Sequence, residues 1–363
     1  MGTPISEIGK KVFGDKAGEI AEWCVKREKP NWYNAIPKGK VANVYLIIEA
    51  QSRLIIRHEQ ETTDVTEIPT PYGFSVPAIL NTKMQAVVRR TLLSLLHEWY
   101  ERNKEAARKE KLWDEEHDYG CTMRPFIRRE KGAPPEEAFT GYCGKCPNCL
   151  IFGYAVQEGA GYNVKSRVEG DLYVATLPSE RAVAQVTFNA VDDILKTTQM
   201  PGTETGALYT FSMIEAGTLF VGKLAFKDVT CAELLLTLTS LARTARIGGR
   251  QTHFGRIKIH IPAVLFSTHE LGGGYELALR ILGKHKEGAG FEEVLGEMNE
   301  YVRSFENQGI LVQDRGMGDK LRGLTQQELD AVIMQAWKDA VVFKKSLDMY
   351  VGQKSKEKKT PVQ

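Results

Sequence analysis

The sequence predicts an α+β fold, and three observations carry that prediction. Two segments, about Asn81 to Lys109 and Ala232 to Arg246, repeat apolar residues at helical spacing. Between and around them lie short runs rich in β-branched residues, of which Arg256-Ile257-Lys258-Ile259-His260-Ile261 alternates strictly as a half-buried strand. Four of only six cysteines fall within residues 121–149, in a stretch poor in periodic apolar residues, which marks an insertion between two halves of one domain.

The elements follow in chain order. Residues 5–27 read as a first helix with Ile8, Val12, Ile20, Trp23 and Cys24 on its apolar side, ended by Pro30 and Pro37. Val41–Ala50 and Arg53–Gln60 read as two strands, and Gln51-Ser52 is short enough to join them as a hairpin. A loop with Pro69, Pro71, Gly73 and Pro77 leads into the Asn81 helix, whose inward residues include Met84, Val88, Leu92 and Trp99. At 100° per residue, Lys83, Arg90 and His97 share its opposite face.

Residues 110–165 are charged and rich in Gly and Pro, and read as a segment folded by a metal and not by a core of its own. Strands resume at Asp171–Thr176 and Ala182–Asn189, and again at Leu208–Ile214 and Thr218–Phe226 after a polar loop over 190–206. The Ala232 helix ends at Gly248-Gly249. Helices at Phe291–Phe305 and Gln326–Leu347 close the fold, the latter opened by a Thr325-x-x-Glu328 capping box, and Gly352–Gln363 reads as a disordered lysine-rich tail. The core order, strand–helix–insertion–strands–helix–strand, resembles the β-α-β-β-α-β ferredoxin-like (RRM-like) plan.

The bulk numbers bound the function. The chain has 363 residues, 42% hydrophobic and 26% charged, enough for one large elaborated domain. A net charge of +2 excludes a wholly basic, histone-type binder but not basic groups gathered on one face. No apolar run reaches the ~18 residues of a membrane span, and Met1–Lys11 has no apolar signal core, so a cytoplasmic location is expected. Met1-Gly2-Thr3-Pro4-Ile5-Ser6 matches a myristoylation pattern, one so short that it carries no weight.

In a reducing compartment Cys143-x2-Cys146-x2-Cys149 reads as a metal site, most often zinc. Cys121 is the first choice for a fourth ligand and His117 the alternative; a spare Cys149, or a three-ligand site completed by water, also fits the spacing. A zinc deaminase would need an H-x-E before a P-C-x-x-C, whereas His285-x-Glu287 follows the cysteines and Pro147 follows Cys146. The metal is therefore expected to be structural. Cys24 and Cys231 read as ordinary buried thiols.

A second constellation is Arg243-x-x-Arg246-Ile-Gly248-Gly249-Arg250-Gln251. Paired glycines admit a phosphate close to backbone amides, and guanidiniums grip it. In a ferredoxin-like sandwich the two helices lie side by side. The loop then faces Lys83 and Arg90, with small Ala86 between them, while Arg89 points to the side, and Lys165 and Arg167 extend the same groove. The blander alternatives are a helix stop at the glycines and a solvated cationic face. The 190–206 loop carries Ile194, Leu195 and Met200 amid polar residues; its apolar side chains either pack on the parent domain or form a protruding tip that wedges between bases.

Together these motifs resemble the RAMP superfamily of CRISPR systems. The Arg246-Ile-Gly-Gly-Arg250 loop, the Lys83–Arg90 helix and Gly206-Ala-Leu-Tyr-Thr-Phe-x-x-Ile-Glu215 are similar to parts of its backbone subunits. Cys-Gly-Lys-Cys-Pro-Asn-Cys-Leu-Ile-Phe-Gly resembles the insertion of the type I-D Cascade backbone subunit. The likeness covers roughly 40–275.

The resemblance implies a palm in two halves (41–110 and 166–275), zinc-binding fingers (111–165) and a thumb hairpin over about 187–207; outside it the chain reads as an N-terminal helical segment (1–40), a C-terminal helical region (276–350) and the tail (351–363). It implies several copies stacked along a CRISPR guide RNA, bound by other Cascade subunits and pairing the guide with a target DNA or RNA strand. Lys83, Arg89, Arg90, Arg246 and Arg250 would hold guide phosphates, and Leu195 or Met200 would be the wedge. Two other functions compete. One is guide-directed RNA cleavage by a thumb-loop aspartate, Asp192 or Asp193. The other is a zinc-stapled protein-interaction module. None of the seven histidines sits in a nucleophile or triad pattern.

Overall fold

A computed structural model describes residues 4–57, 65–113, 118–123, 141–155, 162–189 and 208–357. In chain order the elements are α1 (Pro4–Phe13), α2 (Ala17–Trp23), β1 (Val41–Ala50), β2 (Glu67–Pro69), β3 (Ser75–Ile79), α3 (Asn81–Arg102), α4 (Lys104–Lys109) and α5 (Pro147–Phe152). Then come β4 (Val168–Gly170), β5 (Tyr173–Ala175), α6 (Ser179–Ala182), β6 (Val183–Asn189), β7 (Leu208–Ile214), β8 (Leu219–Lys227) and α7 (Cys231–Arg243). The chain continues through β9 (Ile257–Ser267), α8 (Gly274–Lys284), α9 (Phe291–Arg303), β10 (Ile310–Gln313), α10 (Met317–Arg322) and α11 (Gln326–Glu357).

The architecture is mixed α/β on one antiparallel sheet of order β10-β9-β1-β8-β5-β3-β2, with β4 also pairing β8. β1 is central. Its apolar residues are buried along the whole strand because β8 and β9 flank it on both edges. This overturns the expected hairpin of 41–50 with 53–60. Both edges of β1 are taken, so the chain turns away at Gln51, whose amide donates to Arg256 O, and among residues 53–57 only Leu54 and Ile56 make isolated bridges. Residues 58–60 lie outside the described residues. β6 and β7 form a separate two-stranded ribbon, paired from Val183↔Ile214 to Asn189↔Leu208.

Helices α3 and α7 lie side by side, joined where Thr91 Oγ1 meets Thr244 Oγ1 at 3.1 Å. Other expectations shift in detail. The first helix is two, split by a 3-10 turn over Gly14–Lys16, and the Asn81 helix breaks at Asn103. The Thr325/Glu328 capping box forms, but α11 runs on to Glu357, into the segment expected to be a disordered tail. The insertion also buries more apolar surface than expected. Trp113 and Tyr119 pack with Trp337 of α11 at ring separations of 5.8 and 5.1 Å, and Leu150, Ile151 and Phe152 are buried. Among the described residues no helix is long and apolar enough to cross a membrane.

The start of α7 is held by a buried charge cluster. Thr230 and Glu233 form a capping box. The Glu233 carboxylate, fully buried, also accepts from Arg27 Nη1 at 2.7 Å and from Arg167 Nη2 and Nη1 at 2.6 and 2.8 Å. Both guanidiniums stack on the Phe343 ring, at 4.0 and 4.8 Å. Burial by itself would raise the Glu233 pKa. Arg167 and Arg27 overrule it and hold the group at about 2.

A carboxylate depressed from 4.5 to about 2 contributes stability fully present above pH 4.5 and lost as pH falls toward 2, on the order of 3 kcal/mol. Glu233→Gln leaves two buried cations without a counter-charge, and we expect it to cost about 3 kcal/mol or more at neutral pH. Denaturant melts at pH 7 and across pH 2–5 check this: the variant should start lower and lack that acid-dependent loss. Equal stability at pH 7 would show that the cluster contributes nothing.

Candidate functional site

Lys83 and Arg90 stand two helical turns apart on α3 and line one wall of a groove of about 470 Å³. Thr82 and Ala86 form the floor beside them, Arg57 enters from the segment after β1, and Gly248, Gly249 and Gln251 form the facing wall. The small side chain of Ala86 keeps the middle open. The groove joins the two constellations that the sequence placed about 160 residues apart.

The loop reaches this position because of one close approach. Gly248 has φ +91°, and a Cβ there would sit 2.3 Å from Ile55 O. Gly249 N donates to that same carbonyl at 2.8 Å. Gly248 is therefore required by the backbone. Gly249 is not in the left-handed region, and its missing side chain leaves the groove wall bare. The loop is braced from within by Arg246, whose Nη1 donates to Gln251 O at 2.7 Å and Phe254 O at 2.9 Å, and by Gln251 Nε2 donating to Gly248 O at 3.1 Å.

The other expected groove residues take different positions. Arg246, committed to those carbonyls, shapes the loop and does not line the groove. Arg250 (φ +49°) lays its guanidinium over Phe211 of β7 at 4.1 Å, at the foot of the β6–β7 ribbon. Arg89 donates to Asn148 Oδ1 at 2.9 Å and Gly153 O at 2.7 Å and stacks on Tyr142 at 4.6 Å, so it ties α3 to the cysteine lobe. Arg167 belongs to the Glu233 cluster, and Lys165 pairs with Glu169 at 2.7 Å beside it. The expectation that these last two extend the groove is corrected: their partners draw them to another cleft, between residues 34–38 and α11. His97, expected to share the cationic face, meets Cys121 O at 2.8 Å and stacks on Tyr119. Arg57 is the lining cation that sequence reasoning missed; it sits in an irregular stretch where no periodicity fixes a direction.

The four cysteines converge. Cys121 Sγ lies 3.5 Å from Cys149 Sγ and 3.7 Å from Cys146 Sγ, and Cys143 Sγ lies 3.9 Å from Cys149 Sγ. All four sulfurs are within 4.8 Å of one another. A tetrahedral ion with ~2.3 Å bonds to sulfur separates its ligands by roughly 3.8 Å, so the cage has the right size for a metal. The knuckle is built locally: Cys146 caps α5, Pro147 takes its first turn, and the amides of Cys146 and Cys149 donate to Cys143 Sγ and Cys146 Sγ at 3.3 and 3.4 Å. Burial pushes the Cys143 and Cys146 thiols well above their ordinary pKa, so a cation is what makes thiolates favourable here. With Cys121 in the cage the set is all-cysteine. His117 lies outside the described residues, as do Asp192, Asp193, Leu195 and Met200.

We expect one soft metal ion per chain by elemental mass spectrometry, lost in Cys146→Ser and Cys149→Ser together with part of the thermal stability. Metal-free parent protein with an unchanged melting curve would contradict the cage.

The family model described as Csc2 Crispr matches residues 29–345. No curated protein matches the chain. Among solved structures, the crystal structure of Thermofilum pendens Csc2 is similar at a TM-score of 0.63 and 23% identity, over 93% of this chain and 96% of that one, a likeness of fold. Two chains described as CRISPR RNA-guided surveillance complexes are more distant. One, pre-nicking, has a TM-score of 0.48 and 12% identity over 82% of this chain and 100% of that one. The other has 0.43 and 14%, over 80% and 99%. The family match runs over most of the sequence, and the protein belongs to the Csc2 CRISPR family.

Proposed function

We propose that the protein is a non-catalytic backbone subunit of a type I-D Cascade surveillance complex, which binds CRISPR guide RNA through its phosphates and presents it to a target strand. The single observation that carries this reading is the groove between Lys83 and Arg90 on α3 and the bare wall of Gly248 and Gly249. Such a wall admits a sugar-phosphate chain close to the backbone, and phosphate contacts carry no sequence information, as recognition blind to guide sequence requires. A few phosphate contacts per copy bind weakly. Copies stacked along one RNA multiply them by avidity.

The fold supports the same assignment. The neighbours β9-β1-β8-β5 with α3 and α7 follow the strand order of a ferredoxin-like palm, in halves at 41–110 and 166–275. The β6–β7 ribbon is the stem of a thumb hairpin over about 187–207, whose Leu195 or Met200 would be the wedge, and residues 111–165 are the fingers. We assign zinc to the cysteine cage. Four thiolates close its coordination sphere, so the ion shapes the fingers and offers no position for a reactive water. Arg246 and Arg250 act indirectly in this reading, by holding the loop and the ribbon foot. Arg89 does so by fixing the rotation of α3.

Lys83→Ala with Arg90→Ala should weaken single-stranded RNA binding about tenfold or more, evenly across sequences, and make its salt dependence shallower. Fluorescence anisotropy over a salt series measures both. Full affinity in the double variant would remove the groove from the account, and metal-dependent cuts at regular spacing in matched target RNA would replace the scaffold with an endonuclease.

A further inference from the structure

A second basic cleft lies across the stem of the glycine loop. It encloses about 480 Å³, and its cations are Arg243 at the end of α7, Arg256 and Lys258 at the start of β9, and Arg322 at the end of α10. Residues 242–245 line this cleft and residues 247–249 line the groove, so one strip of chain divides the two. The strip is fastened to β9 by the Arg246–Arg256 bridge and by Ile257 N donating to Ala245 O at 2.9 Å.

The four cations do different things. Arg322 Nη1 donates to Ala242 O at 3.0 Å and Ile259 O at 3.1 Å, and Arg243 Nη2 reaches Arg322 O and Leu324 O at 3.3 Å. These two guanidiniums, bonded to backbone carbonyls, build the floor. Arg256 is exposed and Lys258 half-buried, on the open side. Among the described residues no carboxylate lines the cleft. Two stand nearby, and each has a partner: Asp319 accepts from Arg322 at 2.6 Å, and Glu49, opposite Lys258 in the β1–β9 register, meets His260 at 3.2 Å. Four cations against two engaged carboxylates leave the cleft positive, and Thr244 and Ala245 leave its wall low. Among the described residues the buried Ile257 is the one large apolar side chain of the lining, which disfavours a protein partner seeking apolar anchors.

We infer that this cleft is a second phosphate-binding site, taking the same nucleic-acid strand after it crosses the glycine loop. The inference rests on the proposed function and extends it: the footprint of one subunit spans both sides of the loop, with Arg256 and Lys258 as phosphate contacts and Arg243 and Arg322 as the charged floor. A strand too short to cross the loop uses the groove alone.

The test compares ~5-nucleotide and ~20-nucleotide single-stranded RNA on the full chain. Proteins are the parent, Arg256→Ala with Lys258→Ala, the exposed-site variant Arg256→Gln alone, and Lys83→Ala with Arg90→Ala. We expect the Arg256/Lys258 variant to lose on the order of tenfold in affinity for the long RNA. Its slope of log affinity against log salt should be shallower by about 1.4, two contacts at ~0.7 each. It should bind the short RNA like the parent. Arg256→Gln, which disturbs no packing, should show roughly half of that slope change. Parent-like affinity and slope for long RNA in both variants, with the Lys83/Arg90 variant still weakened, overturns the second cleft and leaves the groove standing. A parent protein that binds neither RNA overturns the proposed function and this inference with it.

Discussion

The Glu233 carboxylate is the point on which the rest of the arrangement depends. It fixes where α7 begins by capping its first turn, and the same oxygens receive Arg27 from the N-terminal segment and Arg167 from the return of the insertion. One buried anion thus locks together three stretches far apart in sequence. Such a site is costly to desolvate and stable only when every lone pair is taken, as it is here. Because α7 runs straight from this cluster to the glycine loop, the position of the loop opposite α3 follows from where the helix is anchored at its other end.

The glycine loop then needs little more than backbone. Gly248 reaches a conformation closed to other residues and presses against Ile55, and Arg246 stiffens the turn from inside. The groove is positive because Lys83 and Arg90 of α3, with Arg57, line it opposite a wall that Gly248 and Gly249 keep low. That division suits a ligand whose charge is regular and whose bases vary.

What was legible in the sequence is what local chemistry decides. The α3 and α7 periodicities, the alternation in β9 and the cysteine spacing all specify themselves within a few residues, although α7 ends at Arg243, ahead of the glycines expected to stop it. The four sulfurs and the pairing of Lys83 and Arg90 with the loop came together as the pattern indicated. The rest depended on partners that sequence spacing does not name. Residues 53–57 look like a strand, yet β1 already has two neighbours. Arg167 looks like Lys83 on paper, and only Glu233, 66 positions away, decides that it is buried. Trp113 and Tyr119 of the insertion stand apart in the chain, with no period to mark them, and pack on α11.

Arg89 and Arg90 are adjacent in the chain and serve opposite sides of α3. A step of 100° separates them, so one holds Asn148 and Gly153 of the cysteine lobe while the other faces the groove. A single residue gained between Lys83 and Arg89 would carry Arg89 off the cysteine lobe into the place of Arg90, and one lost would carry Arg90 out of the groove into the place of Arg89. The residue count along this part of α3 therefore decides which arginine holds the lobe and which lines the groove.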